Sequence, residues 1–183
     1  MKVFDKYKEF GPYHWEDIKN NNFTDLISRS VPTLTRYDKI LNAIPKRACK
    51  IVDVGCGDGA LTYLLSKNEH TFEVIGCDTD STGIMFANQK TEKLVNRDKI
   101  KFINKSFEEC QFSNQSIDVI VMCDVIEHIE KIEPLLKNIK QAGKNGGIFI
   151  NTTPLKRKNG ILWDEHHVIE YTRETLLELL SNH

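Results

Sequence analysis

Apolar residues in this chain fall into short β-branched runs separated by longer stretches with helical spacing. The runs at about 50–54, 73–77, Ile100–Ile103, Asp118–Met122 and Ile148–Asn151 read as strands. Between them, the periodicity predicts helices at about 59–67, 81–95, Glu133–Gln141 and Thr172–Leu180, with a turn over Gly143–Gly147. An earlier helix is predicted from Thr33 to Ile44, where Leu34, Tyr37, Ile40, Leu41 and Ile44 share a face before Pro45 stops it. Strands alternating with helices at this spacing imply an α/β fold with a doubly wound, mostly parallel sheet. The first thirty residues are polar with scattered aromatics: Phe4, Tyr7, Phe10, Tyr13, Trp15 and Phe23. The expected organisation is a helical or lid-like segment over 1–45 followed by one ligand-binding domain over 46–183.

The join between the first strand and its helix carries the most chemistry. Ile51-Val52-Asp53-Val54 leads into Gly55-Cys56-Gly57-Asp58-Gly59, with glycine at every second position of the loop. Glycine there lets a ligand lie against the backbone, and the helix that follows offers unpaired N–H groups. Asp78 closes the next strand about 20 residues further on, where a carboxylate can accept hydrogen bonds from a ribose. The bland reading of Asp78 is a cap for the following helix. Strand, glycine loop, helix, strand and acid together make a nucleoside-binding unit. Asp53 and Asp58 bracket the loop and would repel a pyrophosphate, so a cationic ligand suits it better than a dinucleotide.

With these residues the chain resembles the class I S-adenosylmethionine-dependent methyltransferases, whose first motif reads much like Val52–Gly59. Val74-Ile75-Gly76-Cys77-Asp78 is similar to their second motif, and Ser106-Phe107 holds the place of the adenine-contacting pair. Ser116–Ile120 leads into the fourth strand, Asp124–His128 matches a common sequence after it, and Gly146-Gly147 precedes the fifth. The resemblance implies a Rossmann-like fold and S-adenosyl-L-methionine as cofactor. It implies donor contacts from Asp53, Gly55, Cys56, Gly57, Gly59, Asp78, Thr79, Ser106, Phe107 and Cys123. Members of the family usually add two further strands after the last helix; this sequence ends at His183. The expectation is therefore a sheet lacking those strands, with an exposed edge that favours association.

Composition narrows the setting. The 183 residues suffice for one buried core, and Lys plus Arg of 25 against Asp plus Glu of 26 leaves a net charge of −1, which marks neither a nucleic-acid nor a membrane-surface protein. Five scattered cysteines (Cys49, Cys56, Cys77, Cys110, Cys123) without a C-x-x-C pair read as reduced thiols. With no signal-peptide core and no membrane-length apolar run, the expected location is the cytoplasm.

In a doubly wound sheet the ligand sits beyond the carboxyl ends of the strands. Cys123 and Asp124 fall there after the fourth strand, and Thr152, Thr153 and Pro154 after the fifth. A hydroxyl acceptor benefits from a base within reach, and His128 and His167 are the candidate catalytic residues. Local packing is the bland alternative for Glu127-His128. If 124–128 is helical, Asp124, Glu127 and His128 share a face, and with His167 they could hold a divalent metal. Asp124, Glu127, His128 and His167 also match places in the small-RNA 3′-terminal 2′-O-methyltransferases, which resemble this chain there and also place a histidine shortly before a Thr-Arg pair. Asp124 stands where that family more often has glutamate, and the neutral charge disfavours RNA, so neither metal nor RNA is the preferred reading. Tyr13, His14 and Trp15 could close over the donor or line the acceptor pocket, or simply fasten the N-terminal segment. Lys156-Arg157-Lys158 could meet a phosphate, though such runs are usually just solvated. The favoured expectation is methyl transfer to a small molecule, at oxygen. A metal-dependent RNA 2′-O-methyltransferase and a donor-binding, non-catalytic regulatory domain are the alternatives.

Overall fold

The computed structural model describes residues 6–19 and 30–183; Phe4 and Phe23 lie outside them. Five strands, β1 (Cys49–Val54), β2 (Thr71–Cys77), β3 (Ile100–Ile103), β4 (Ile117–Cys123) and β5 (Gly143–Thr152), form one sheet in the order β3-β2-β1-β4-β5. Every neighbouring pair is parallel. Strand order therefore reverses between β1 and β4, and the crevice at their carboxyl ends is where this architecture binds ligands.

Helices cover both faces, which is why the strands read as nearly continuous apolar runs. Ile51, Val74, Val119 and Val121 point to the face packed by α3 (Ser30–Ala43) and α4 (Ala60–Ser66), through Tyr37, Ile40, Leu61 and Leu65. Val52, Val54, Ile75, Ile120 and Met122 point to the other face, against Leu135, Leu136 and Ile139 of α6 (Glu133–Ala142) and the half-buried Leu176, Leu179 and Leu180 of α7 (Arg173–Ser181). Two short helices, α1 (Lys6–Phe10) and α2 (Tyr13–Lys19), precede α3. Trp15 anchors α2 by stacking on Tyr63 of α4, ring centroids 5.2 Å apart. Among the described residues no helix is long and apolar enough to cross a membrane.

Three local expectations change. Helix α5 (Ser81–Thr91) stops short of 95; Thr91 bonds back to the Ala87 carbonyl, a side-chain contact that competes with helix continuation, and Val95 beyond it is exposed. Gly143–Gly147 is not a free turn, because α6 runs directly into β5, with Gly143 paired to Ile117 and an irregularity before the Val119–Ile148 pair. Gly146 supplies the positive φ, 74°, within that irregular stretch. Finally, 124–128 is not an α-helix: Asp124 is left-handed at φ 55°, and only Ile126–His128 form a 3-10 turn. The shared helical face expected for Asp124, Glu127 and His128 does not exist.

Candidate active site

The loop between β1 and α4 lies at the β1/β4 crevice. Gly55 has φ 68°, and a Cβ on it would come within 2.4 Å of the Val125 side chain, so glycine here lets the segment after β4 close against the end of β1. Gly57 differs in direction. Its φ is 52°, and a Cβ would meet the Tyr7 hydroxyl at 1.8 Å, so this glycine opens towards the α1 side rather than into the core. Cys56 turns the other way, its sulfur against Gly76.

Three carboxylates surround the loop, each tied down from within the chain. Asp78 Oδ2 accepts from the Gly57 N–H at 2.7 Å and Oδ1 from the Asp80 N–H at 2.8 Å. Asp80, not Asp78, caps α5, accepting from the backbone N–H groups of Thr82 and Gly83. Asp58 is buried and accepts from the His14 backbone N–H at 3.0 Å, while the Trp15 indole N–H donates to its carbonyl at 2.6 Å. Asp53, fully buried, accepts from the Thr62 hydroxyl at 2.6 Å, and burial pushes its pKa up to about 7. It therefore stitches β1 to α4 rather than facing the loop's open side. Asp58 and Asp78 remain beside the backbone cradle, whereas Asp53, which the sequence reading set beside Asp58 against a phosphate, faces away from it.

The other expected donor residues divide. Thr79 is exposed beside Asp78, and Cys123 is half-buried at the end of β4, a neutral thiol whose pKa burial pushes up to about 12 while the Thr152 hydroxyl donates to its sulfur. The Ser106 N–H donates to Glu109 Oε2 and the Glu109 N–H to Ser106 Oγ, and Phe107 is core, 5.1 Å from the Phe112 ring. Tyr13 and His14 stand over the loop from α2: Tyr13 stacks on Tyr7 at 5.5 Å, and His14 Nδ1 lies 3.3 Å from Asp58 Oδ1.

Beyond β4 and β5, the structure gathers a second group. The ligand atoms of Glu127, His128 and His167 lie within 4.8 Å of one another, and the two imidazoles meet edge to face with centroids 4.9 Å apart. The Glu127 carbonyl accepts from the Val168 and Ile169 N–H groups, which fixes the loop after β5 over the 3-10 turn. His128 Nδ1 faces the His166 carbonyl at 3.0 Å, and His167 Nδ1 faces Glu170 Oε1 at 2.7 Å. Acceptors at both Nδ1 positions place a ring N–H there in each imidazole and fix the orientation of the two rings. Burial lowers the His128 pKa, keeping it neutral near pH 7. Glu127 accepts from the Thr153 hydroxyl at Oε2, and among the described residues its buried Oε1 has no partner. Asp124 stays out of this group; its carboxylate pairs with Arg36 Nε at 2.7 Å. Sequence reasoning missed Glu170, although a carboxylate three residues after a histidine was a readable signal, and it missed the contact of Tyr7 with Gly57.

Residues 52–151 match the family model described as a methyltransferase domain, and the chain belongs to that family, the class I S-adenosylmethionine-dependent methyltransferases. Over 214 aligned residues it is 30% identical to a carboxy-S-adenosyl-L-methionine synthase of Nautilia profundicola, covering 99% of this chain and 89% of that one. A ubiquinone biosynthesis O-methyltransferase of Rickettsia conorii is 29% identical over 74% of this chain, which spans 45% of that relative's length. Among solved structures, a SAM-dependent methyltransferase from Aquifex aeolicus superposes with a TM-score of 0.67 at 17% identity, covering 94% of this chain and 87% of that one, a likeness of fold.

Proposed function

We propose that this chain transfers a methyl group from S-adenosylmethionine to a hydroxyl of a small-molecule acceptor, with the paired imidazoles on the acceptor side. The observation that carries the reading is the anchoring of His128 and His167, each through Nδ1, so that the fold sets the orientation of both rings. When bound, the donor supplies an electrophilic methyl on a sulfonium. The Gly55–Gly59 backbone and Asp78 hold its amino-acid and ribose parts. An imidazole Nε2 takes the acceptor's proton as oxygen gains the methyl, and the carboxylate of Glu170 on Nδ1 of His167 steadies the imidazolium. The relatives' names divide among N-methyl transfer, O-methyl transfer and synthesis of a modified donor, so family membership alone does not choose the acceptor.

The test is release of S-adenosylhomocysteine across a panel of hydroxylated small molecules, amines and RNA 3′ ends. His128→Ala or His167→Ala should keep donor binding by calorimetry yet lose roughly 10²–10⁴-fold in turnover. Turnover retained in both variants would remove the base assignment, and preference for an amine or RNA would redirect the acceptor. Failure of the wild type to bind S-adenosylmethionine would overturn the whole reading.

A metal-assisted variant of this reading is supported by the buried Glu127 Oε1, unpartnered among the described residues, in a group with two imidazoles anchored through Nδ1. Histidine ligands commonly have that outer contact. Glu127, His128 and His167 would hold a divalent ion of the manganese-to-zinc series, which lowers the pKa of a bound hydroxyl; Asp124 is not part of the set. Elemental analysis should find one ion lost in Glu127→Gln. Activity that survives EDTA in a metal-free protein would dismiss it.

A further inference from the structure

Tyr7 of α1 is only 4% exposed, although its helix is five residues long and lies outside the sheet layers. Its hydroxyl sits against Gly57, and its ring edge lies 3.1 Å from where a Cβ on Gly83, in the first turn of α5, would stand. Asp58 and Asp78 both act on its hydroxyl electrostatically, so the ring is set among the acids of the loop. Tyr13 stacks on it, and His14 Nδ1 is 3.4 Å from its oxygen. Two further features bear on α1: Lys6 forms an ion pair with Asp164 in the loop after β5, and Gly11, at φ 65° with no atom of the described residues beyond its chain neighbours within 4 Å of its Cβ position, forms the bend into α2.

Tyr7 thus covers the glycine of the loop whose missing side chain opens outward, the same residue whose N–H Asp78 holds. On the donor reading above, on which this inference rests, that is the cradle of S-adenosylmethionine. We propose that Tyr7 is an exchangeable occupant of the donor site: ring and donor compete for the face of Gly57, and the donor enters when α1 pivots outward at Gly11 and the Lys6–Asp164 pair opens. A bond between α1 and the acceptor-side loop would then link donor entry to that loop.

Competition and contact predict opposite signs. If Tyr7 occupies the site, apparent affinity falls by the fraction of molecules in which it is withdrawn, so removing the ring raises affinity. S-adenosylhomocysteine binding can be followed by stopped-flow fluorescence of Trp15, whose indole bonds to the loop, in a Trp163→Phe background, with calorimetry for the equilibrium. Tyr7→Ala should speed association and tighten binding roughly tenfold, with dissociation little changed, and Lys6→Ala should shift both in the same direction by less. On saturation with S-adenosylhomocysteine, α1 amides should lose hydrogen-exchange protection while those of 55–59 gain it. Weaker binding by Tyr7→Ala, or α1 protection rising with ligand, would overturn the proposal and make Tyr7 a donor contact instead. If Tyr7→Ala fails to fold, Lys6→Ala and the exchange measurement on the wild type decide. If no form binds, the donor reading fails, a result distinct from either.

Discussion

Asp53 and Asp78 are both acids at the carboxyl ends of neighbouring strands, yet their surroundings give them different work. Asp53 is sealed between β1 and α4 with one hydroxyl partner, and its pKa rises from 3.8 to about 7 chiefly through burial. The folded state then binds more protons than the unfolded state across that window, so this group's contribution is greatest below about pH 4 and is lost as pH rises towards 7, at up to about 1.4 kcal/mol per unit. Asp53→Asn should flatten that part of the stability–pH curve, measured by urea denaturation from pH 4 to 8; an unchanged slope would refute the assignment. Asp78 instead shapes the loop through Gly57. Asp78→Ala should weaken S-adenosylhomocysteine binding by roughly 10- to 100-fold, the scale of one or two charge-assisted hydrogen bonds, as read by calorimetry. At the acceptor side, Glu170→Ala frees the imidazole of His167 from its carboxylate. Turnover should then fall roughly tenfold as the ring loses the contact that orients it, with donor affinity by calorimetry unchanged.

At the scale of elements, caps and turns decide where the chemistry is presented. Asp80 satisfies two N–H groups at the start of α5, so Asp80→Ala should cost about 1 kcal/mol in thermal or urea unfolding. Because Asp78 keeps its bond to Gly57 in that variant, donor binding should fall far less than in Asp78→Ala, separating a cap from a ligand contact. Thr172 caps α7 in the same manner and pairs reciprocally with Thr175. Most of these elements were readable, since a strand or amphipathic helix is written in a local period. The exception at 124–128 has a specific cause: the Asp124 N–H bonds to the Thr152 carbonyl on β5 and its side chain pairs with α3, so tertiary partners outweigh helical spacing.

For the molecule as a whole, the two outer strands differ. β5 pairs with β4 on one side and, among the described residues, with no strand on the other, with Ile148, Phe149 and Ile150 only half-buried. An edge of that kind predicts self-association of this chain, seen as a mass that rises with concentration in sedimentation velocity; a concentration-independent monomer would exclude it. The glycine loop, the acid after β2 and the alternation of strands and helices were fixed by the sequence alone, because each is encoded by neighbours within a turn or a strand. The sequence also contained Glu127, His128, His167 and Glu170, but as two separate stretches. Only the fold joins them, through the Glu127 carbonyl reaching Val168 and Ile169 and the His166 carbonyl reaching His128. Tyr7 on Gly57 is the same kind of contact over a longer span of chain. Local patterns carry no record of which distant side chain will fill a glycine's open face; packing of the N-terminal helices against the sheet decides it.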